Sequence, residues 1–184
     1  MPGRATGPPT LPRMTQRVRE AVPADLPDIL RLVRELAVYE REPDKVEATE
    51  EHFARVLFPD GGHPTAFCHV AEVEEGGRRR VAGIAVWFLS FSTWTGTNGI
   101  WLEDLFVEPE HRGTGLGQEL LRALARRCVD RGYRRLEWWV LDWNTPSIGF
   151  YESLGAVGQD EWTTFRLDGA ALARLGGAAV PSTS

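Results

Sequence analysis

Apolar residues recur at steps of three and four through 25–39. Leu26, Ile29, Leu30, Val33, Leu36 and Ala37 would share one helical face there, with Asp25 as N-cap. A shorter stripe at 49–57 groups Phe53, Val56 and Leu57, and Pro59, Gly61, Gly62 and Pro64 end it. The pattern then loses its helical period. Segments 67–73 and 81–92 are dense in Val, Ala, Ile, Phe and Trp and read as strands, with Glu-Glu-Gly-Gly-Arg-Arg between them as a hairpin turn. After a loop at 93–99, residues 100–107 read as a third strand. A helix follows over 115–131, striped by Leu116, Leu120, Leu121, Leu124, Ala125 and Cys128 and closed by Gly132. Residues 136–141 read as another strand. Asn144 or Thr145 then caps a short helix with Pro146 near its first position, carrying Ile148, Phe150, Tyr151 and Leu154 and stopped by Gly155. Residues 161–167 read as the last strand. The order predicts a single α/β domain over 16–175, with a mixed, mostly antiparallel sheet flanked by helices. The Pro- and Gly-rich residues 1–15 and residues 176–184 read as loose tails.

Composition narrows the function classes. With 42% hydrophobic and 26% charged residues, the 184-residue chain can build one core. Its net charge of -5 weighs against a nucleic-acid partner and suits a small cationic one. No apolar run reaches the roughly 20 residues of a membrane span. Cys68 and Cys128 lie inside apolar segments and read as buried free thiols, which points to a reducing, cytoplasmic compartment. His52, His63, His69 and His111 lack metal-ligand spacing, so no metal is expected.

The most informative stretch is Leu105-Phe106-Val107 followed by Arg112-Gly113-Thr114-Gly115-Leu116-Gly117-Gln118. A strand ends, three alternating glycines follow, and a helix starts. Converging N–H groups at a positive helix N-terminus suit a phosphate, and Arg112 can add charge-assisted hydrogen bonds. A Walker A loop is excluded because Gln118 follows Gly117, and the dinucleotide fingerprint fails because the sixth position from Gly113 is Gln118. The alternative is a glycine-rich turn with no ligand.

This loop resembles the acetyl-CoA pyrophosphate loop of the GCN5-related N-acetyltransferases. The resemblance is closer to their spermidine/spermine and thialysine branch. It rests on Asp28-Ile29-Leu30-Arg31-Leu32 through Glu35-Leu36-Ala37, Tyr39-Glu40, Leu102-Glu103-Asp104-Leu105-Phe106-Val107, Trp143-Asn144-Thr145-Pro146-Ser147-Ile148-Gly149-Phe150-Tyr151 and Gly155-Ala156. It implies acetyl-CoA held by Leu105, Phe106, Val107, Arg112 to Gln118, and Asn144, Thr145, Pro146 and Ser147. It also implies a homodimer. The chain departs from the branch in its large Trp138 and Trp139 and in a short segment between Gly155 and Trp162, both on the implied acceptor side.

Direct acetyl transfer to a primary amine needs a base, an oxyanion donor and an acid for the thiolate. The resemblance places Tyr151 beside the thioester sulfur, and a phenol with a pKa of about 10 can donate at neutral pH. A packing tyrosine is the other reading of its periodicity. Glu103 and Asp104 are neighbours on one strand and should face opposite ways unless a bulge intervenes. The resemblance selects Glu103 for the acceptor side, as a base acting through water. The resemblance matches Tyr39 and Glu40 to acceptor contacts, although Glu40, Glu42 and Asp44 also read as a solvated helix end. Trp94 reads as a wall of the acceptor channel or a stacking face for a cation, Glu161 or Asp160 as a further anionic contact, and Glu137, Trp138 and Trp139 as the rest of the acceptor side. The rival activities are acetylation of a peptide or antibiotic amine, and a non-catalytic acyl-CoA sensor.

Overall fold

The computed structural model describes residues 17–177, in two compact units divided after Trp139. In the first, a five-stranded sheet runs in the order β1 (Val18–Glu20), β2 (Phe67–Glu75), β3 (Arg78–Ser92), β4 (Thr97–Val107) and β5 (Leu136–Glu137). The first four strands are antiparallel, and β5 adds to β4 in parallel. The β2–β3 hairpin turns on Gly76 (φ 57°) and Gly77 (φ 74°), the left-handed pair that a two-residue hairpin requires.

Helices cover both faces. Helices α1 (Leu26–Tyr39) and α2 (Glu50–Leu57) pack Ile29, Leu32 and Leu57 against Cys68, Val70, Val81, Ile84, Val86 and Phe106. Helix α3 (Leu116–Arg131) buries Leu116, Leu120, Leu121, Leu124 and Cys128. Its C-terminus is closed by Gly132 at φ 68°. Both cysteines are free and buried. The second unit holds α4 (Thr145–Ser153) and α5 (Gly169–Leu175). The expected tail at 1–15 and most of the one at 176–184 lie outside the described residues.

Several elements differ from the sequence pattern. Strand β1 is three residues long, too short to show an alternation. Asp25 precedes α1 but has helical backbone (φ -85°) and does not cap it. Its carboxylate accepts from the Val22 amide at 2.8 Å and from Arg19 at 2.6 and 2.9 Å. The strand expected at 136–141 stops at Glu137, where the parallel ladder ends at the Trp101–Glu137 pair. A bulge in β4 at Glu103 follows at once, and a bulge bends its strand away from a straight ladder. Residues 161–167 form no strand. Trp162 is 74% and Phe165 92% exposed, so the pattern supplies a face without a partner edge. The Ala-rich α5 follows instead.

Candidate active site

The first unit presents an open strand edge leading into a glycine turn and a helix N-terminus. Strand β4 pairs with β3 on one side along its length, but on the other side it meets β5 only at Ile100 and Trp101. Among the described residues, no strand pairs with that edge from Leu102 to Val107. Gly113 (φ 75°) and Gly115 (φ 90°) then turn the chain into α3. Gly115 is the N-cap of α3, and no side chain caps the first-turn amides. Those N–H groups, at the positive end of a 16-residue helix, are of the kind that can receive an anion. Glu119 in the same turn would oppose an anion, but its carboxylate is ion-paired with Arg17. Arg17 also donates to the Thr114 carbonyl at 3.1 Å, bracing the turn.

Arg112 is held differently from a free phosphate clamp. Its Nε donates to the Val107 carbonyl at 3.0 Å, and its guanidinium lies 4.7 Å from the Tyr39 ring centre and 5.4 Å from that of Phe106. Two predicted residues, one from the loop and one from the end of α1, are thus in cation–π contact.

At the bulge, Val86 opposes Asp104 and Trp87 opposes Leu102, leaving Glu103 as the extra residue. The alternation of neighbouring side chains is broken at this position. Glu103 is exposed and accepts from Trp101 Nε1 at 3.0 Å. Asp104 lines a cavity of about 290 Å³ with Glu40, Glu42, Lys45, Val33, Leu36, Ala37 and Val46. Burial pushes the Asp104 carboxyl up to about 6, with Glu103 and Glu40 adding repulsion. Burial also raises Glu40. Lys45 is paired with Glu42 at 2.9 Å. The result is a concave site with apolar walls and an excess of carboxylates at reduced acidity. Sequence reasoning found Glu40 but passed over Asp104. The signal was the strand's own glutamate–aspartate pair, which strict alternation assigned to opposite faces.

The other acceptor-side candidates do not line this cavity. Trp94 sits 90% exposed between β3 and β4. Glu137 is paired with Arg135 at 2.8 Å. Trp138 follows it, half-buried, and Trp139 packs edge-on against Trp101 at 4.9 Å.

In the second unit, Asn144 caps α4, its Oδ1 accepting from the Ser147 amide at 3.4 Å. Thr145 and Pro146 form the first turn. Tyr151 lies half-buried on the same helix, 5.4 Å from the Phe150 ring centre. Glu161 is exposed in the segment that follows.

A buried ionic cluster anchors the root of the glycine turn. Glu108, 4% exposed, accepts from Arg31 of α1 at 2.7 Å and from Arg80 of β3 at 2.5 Å. Glu108, Glu110 and His111 lie close enough together to hold a metal. Arg80 instead occupies their midst, 3.0 Å from His111 Nε2, and a cation there disfavours a second one.

This fold and turn define an acetyltransferase, and the chain belongs to the acetyltransferase (GNAT) family, whose model matches residues 28–156. It is an enzyme of the amine-acetylating kind, in a family that uses acetyl-CoA as co-substrate. It is 40% identical over 169 residues to the thialysine N-epsilon-acetyltransferase of Bos taurus, covering 87% of this chain and 96% of that relative. It is 32% identical over 203 residues to the L-ornithine N5-acetyltransferase NATA1 of Arabidopsis thaliana, covering 89% of each. Among solved structures, an integron cassette protein of V. cholerae superposes with a TM-score of 0.70 at 26% identity, covering 88% of this chain and 97% of the other. No helix among the described residues is long and apolar enough to cross a membrane.

Proposed function

We propose that this enzyme transfers the acetyl group of acetyl-CoA directly to a primary amine of a small cationic acceptor, a polyamine or a thialysine-like amino acid. The acidic cavity around Asp104 carries the reading. Its volume of about 290 Å³ suits a small molecule rather than a folded substrate. Carboxylates whose pKa values are raised by burial and mutual repulsion are stabilised when a cation arrives.

In this reading the open edge at Leu105, Phe106 and Val107 pairs with the amides of the donor's pantetheine arm. Residues Arg112, Gly113, Thr114, Gly115, Leu116, Gly117 and Gln118 hold its diphosphate, with Asn144 to Ser147 completing the donor site. Glu40 and Asp104 attract the acceptor ammonium, and Glu103 relays its proton through water. The freed amine attacks the thioester carbonyl, the C–N bond forms and the C–S bond breaks. Tyr151 gives its proton to the departing thiolate, and the proton that the new amide nitrogen sheds returns through water to restore the phenol. The enzyme acts as a homodimer, as its resemblance to the polyamine and thialysine branch implies, in the reducing cytoplasm that its two free cysteines suit.

The test incubates the purified chain and acetyl-CoA with spermidine, thialysine, ornithine, an aminoglycoside and a peptide while free thiol is followed. Thiol release with the small di- and polyamines supports the assignment. Turnover confined to the peptide or the aminoglycoside overturns it. So does tight acetyl-CoA binding with no release above background, which would mark a sensor.

A further inference from the structure

A second cavity, of about 400 Å³, opens between β1 and the C-terminal half of α3. It has no part in the site above. Helix α3 rises about 24 Å over its length, and the glycine turn is at its other end. One wall is a single helical stripe of Ala123, Arg126, Arg127, Asp130 and Arg131, spaced three, one, three and one residues apart. Val18, Arg19 and Glu20 form the other wall, and His69 of β2 lies between them.

Two of the four arginines are committed. Arg19 binds Asp25 and Glu72. Arg127 binds Glu20 at 2.5 Å and lies 5.0 Å from the Trp87 ring centre. The side chains of Arg126 and Arg131 are exposed and have no acidic partner among the described residues. Glu20 and Asp130 leave the cavity lining with two positive charges in excess, on a chain whose net charge is -5.

His69 supplies an independent observation. The residue is 7% exposed, and Trp87 Nε1 donates to its Nδ1 at 3.1 Å. That bond places the proton of the neutral ring on Nε2. Burial lowers the His69 pKa, opposed by the nearby Glu20 carboxylate and aided to a smaller extent by Arg127. Its Nε2–H has no protein acceptor among the described residues, and the nitrogen keeps contact with solvent in the cavity, where a ligand oxygen can meet it. One cavity-facing N–H and two free guanidinium groups on the same cavity all lack the same thing, a protein acceptor oxygen. A cationic ligand would be repelled. The cavity is larger than a bare phosphate needs, and Val18 and Ala123 offer apolar contact to a short carbon chain.

We propose that this groove is a binding site for a small phosphate monoester, with Arg126, Arg131 and the His69 Nε2–H as its donors. The test is a titration of the full chain, labelled with ¹⁵N at histidine, reading the His69 ring resonances. The probes are inorganic phosphate and glycerol phosphate, with succinate and chloride in separate arms at matched ionic strength. Both phosphates should give a saturable His69 shift. In the Arg126→Ser/Arg131→Ser double variant, affinity should weaken by about tenfold or more, the loss of two charge-assisted contacts. Amine acetylation by the double variant should be unchanged, because neither residue lies in the glycine turn or the acidic cavity. A shift that never saturates, or that chloride reproduces, would reveal an adventitious ion only and overturn the site. Saturation undiminished in the double variant would overturn the residue assignment, and equal binding of succinate would overturn the phosphate class.

Discussion

Replacing Asp104 by Asn separates the stability of this protein from its chemistry. The Asp104 carboxyl rises from 3.8 to about 6 on folding, chiefly through burial. At 1.36 kcal/mol per tenfold step in acidity, ionised Asp104 costs the folded state about 3 kcal/mol at neutral pH. The sign follows from proton release. The unfolded chain gives up this proton first, so the native protein loses stability as pH rises from 3.8 towards about 6. Asn carries no such penalty. Asp104→Asn should therefore be more stable by about 2–3 kcal/mol at neutral pH, with the gain shrinking as pH falls through 6 and vanishing below 3.8. Urea unfolding of both proteins from about pH 4 to pH 8 measures this directly. The same variant should bind a cationic acceptor at least about tenfold more weakly, by the loss of one charge-assisted contact. A stability difference that does not change with pH, or a less stable variant at neutral pH, would refute the assignment of a desolvated carboxylate.

Tyr151→Phe should lower kcat by about 100-fold with little change in the KM for acetyl-CoA, the signature of a lost general acid, and steady-state kinetics decide it. Gly115→Val forces a branched side chain into a φ of 90°, so the KM for acetyl-CoA should rise and the melting temperature fall, with strain of about 1–3 kcal/mol. Glu108→Gln strands Arg31 and Arg80 around a neutral group. It should destabilise by about 1–3 kcal/mol in thermal unfolding, less than for a fully buried pair because the two arginine side chains keep 38% and 33% of their exposure. Acceptor KM should rise as pH falls below about 6, as Asp104 protonates, and a flat KM profile would remove Asp104 from acceptor binding.

The helices and central strands were legible because their periods were unambiguous. The stripe from Leu116 to Cys128 and the apolar runs of β3 and β4 left no competing reading. The glycine turn was legible because positive φ at Gly113 and Gly115 leaves a mark in the sequence. Strand edges were not legible. Nothing in 138–141 tells that its ladder ends at Glu137, since that depends on the bulge in a strand more than thirty positions earlier. The same bulge hid Asp104, because alternation sends it away from Glu103 while a single inserted residue breaks that rule. Asp25 deceived for another reason. Aspartate before a helix reads as a cap, but Arg19, six residues away, claims its carboxylate.

Arg112 gives one guanidinium two loyalties. Any anion that pulls it off the Tyr39 ring loosens the end of α1, where Glu40 resides, and whatever restrains Tyr39 must in turn alter the affinity of that anion by an equal factor. The two reactants of a bisubstrate enzyme would then sense each other before any bond is made. The strength of that coupling would rest on a single stacked side chain.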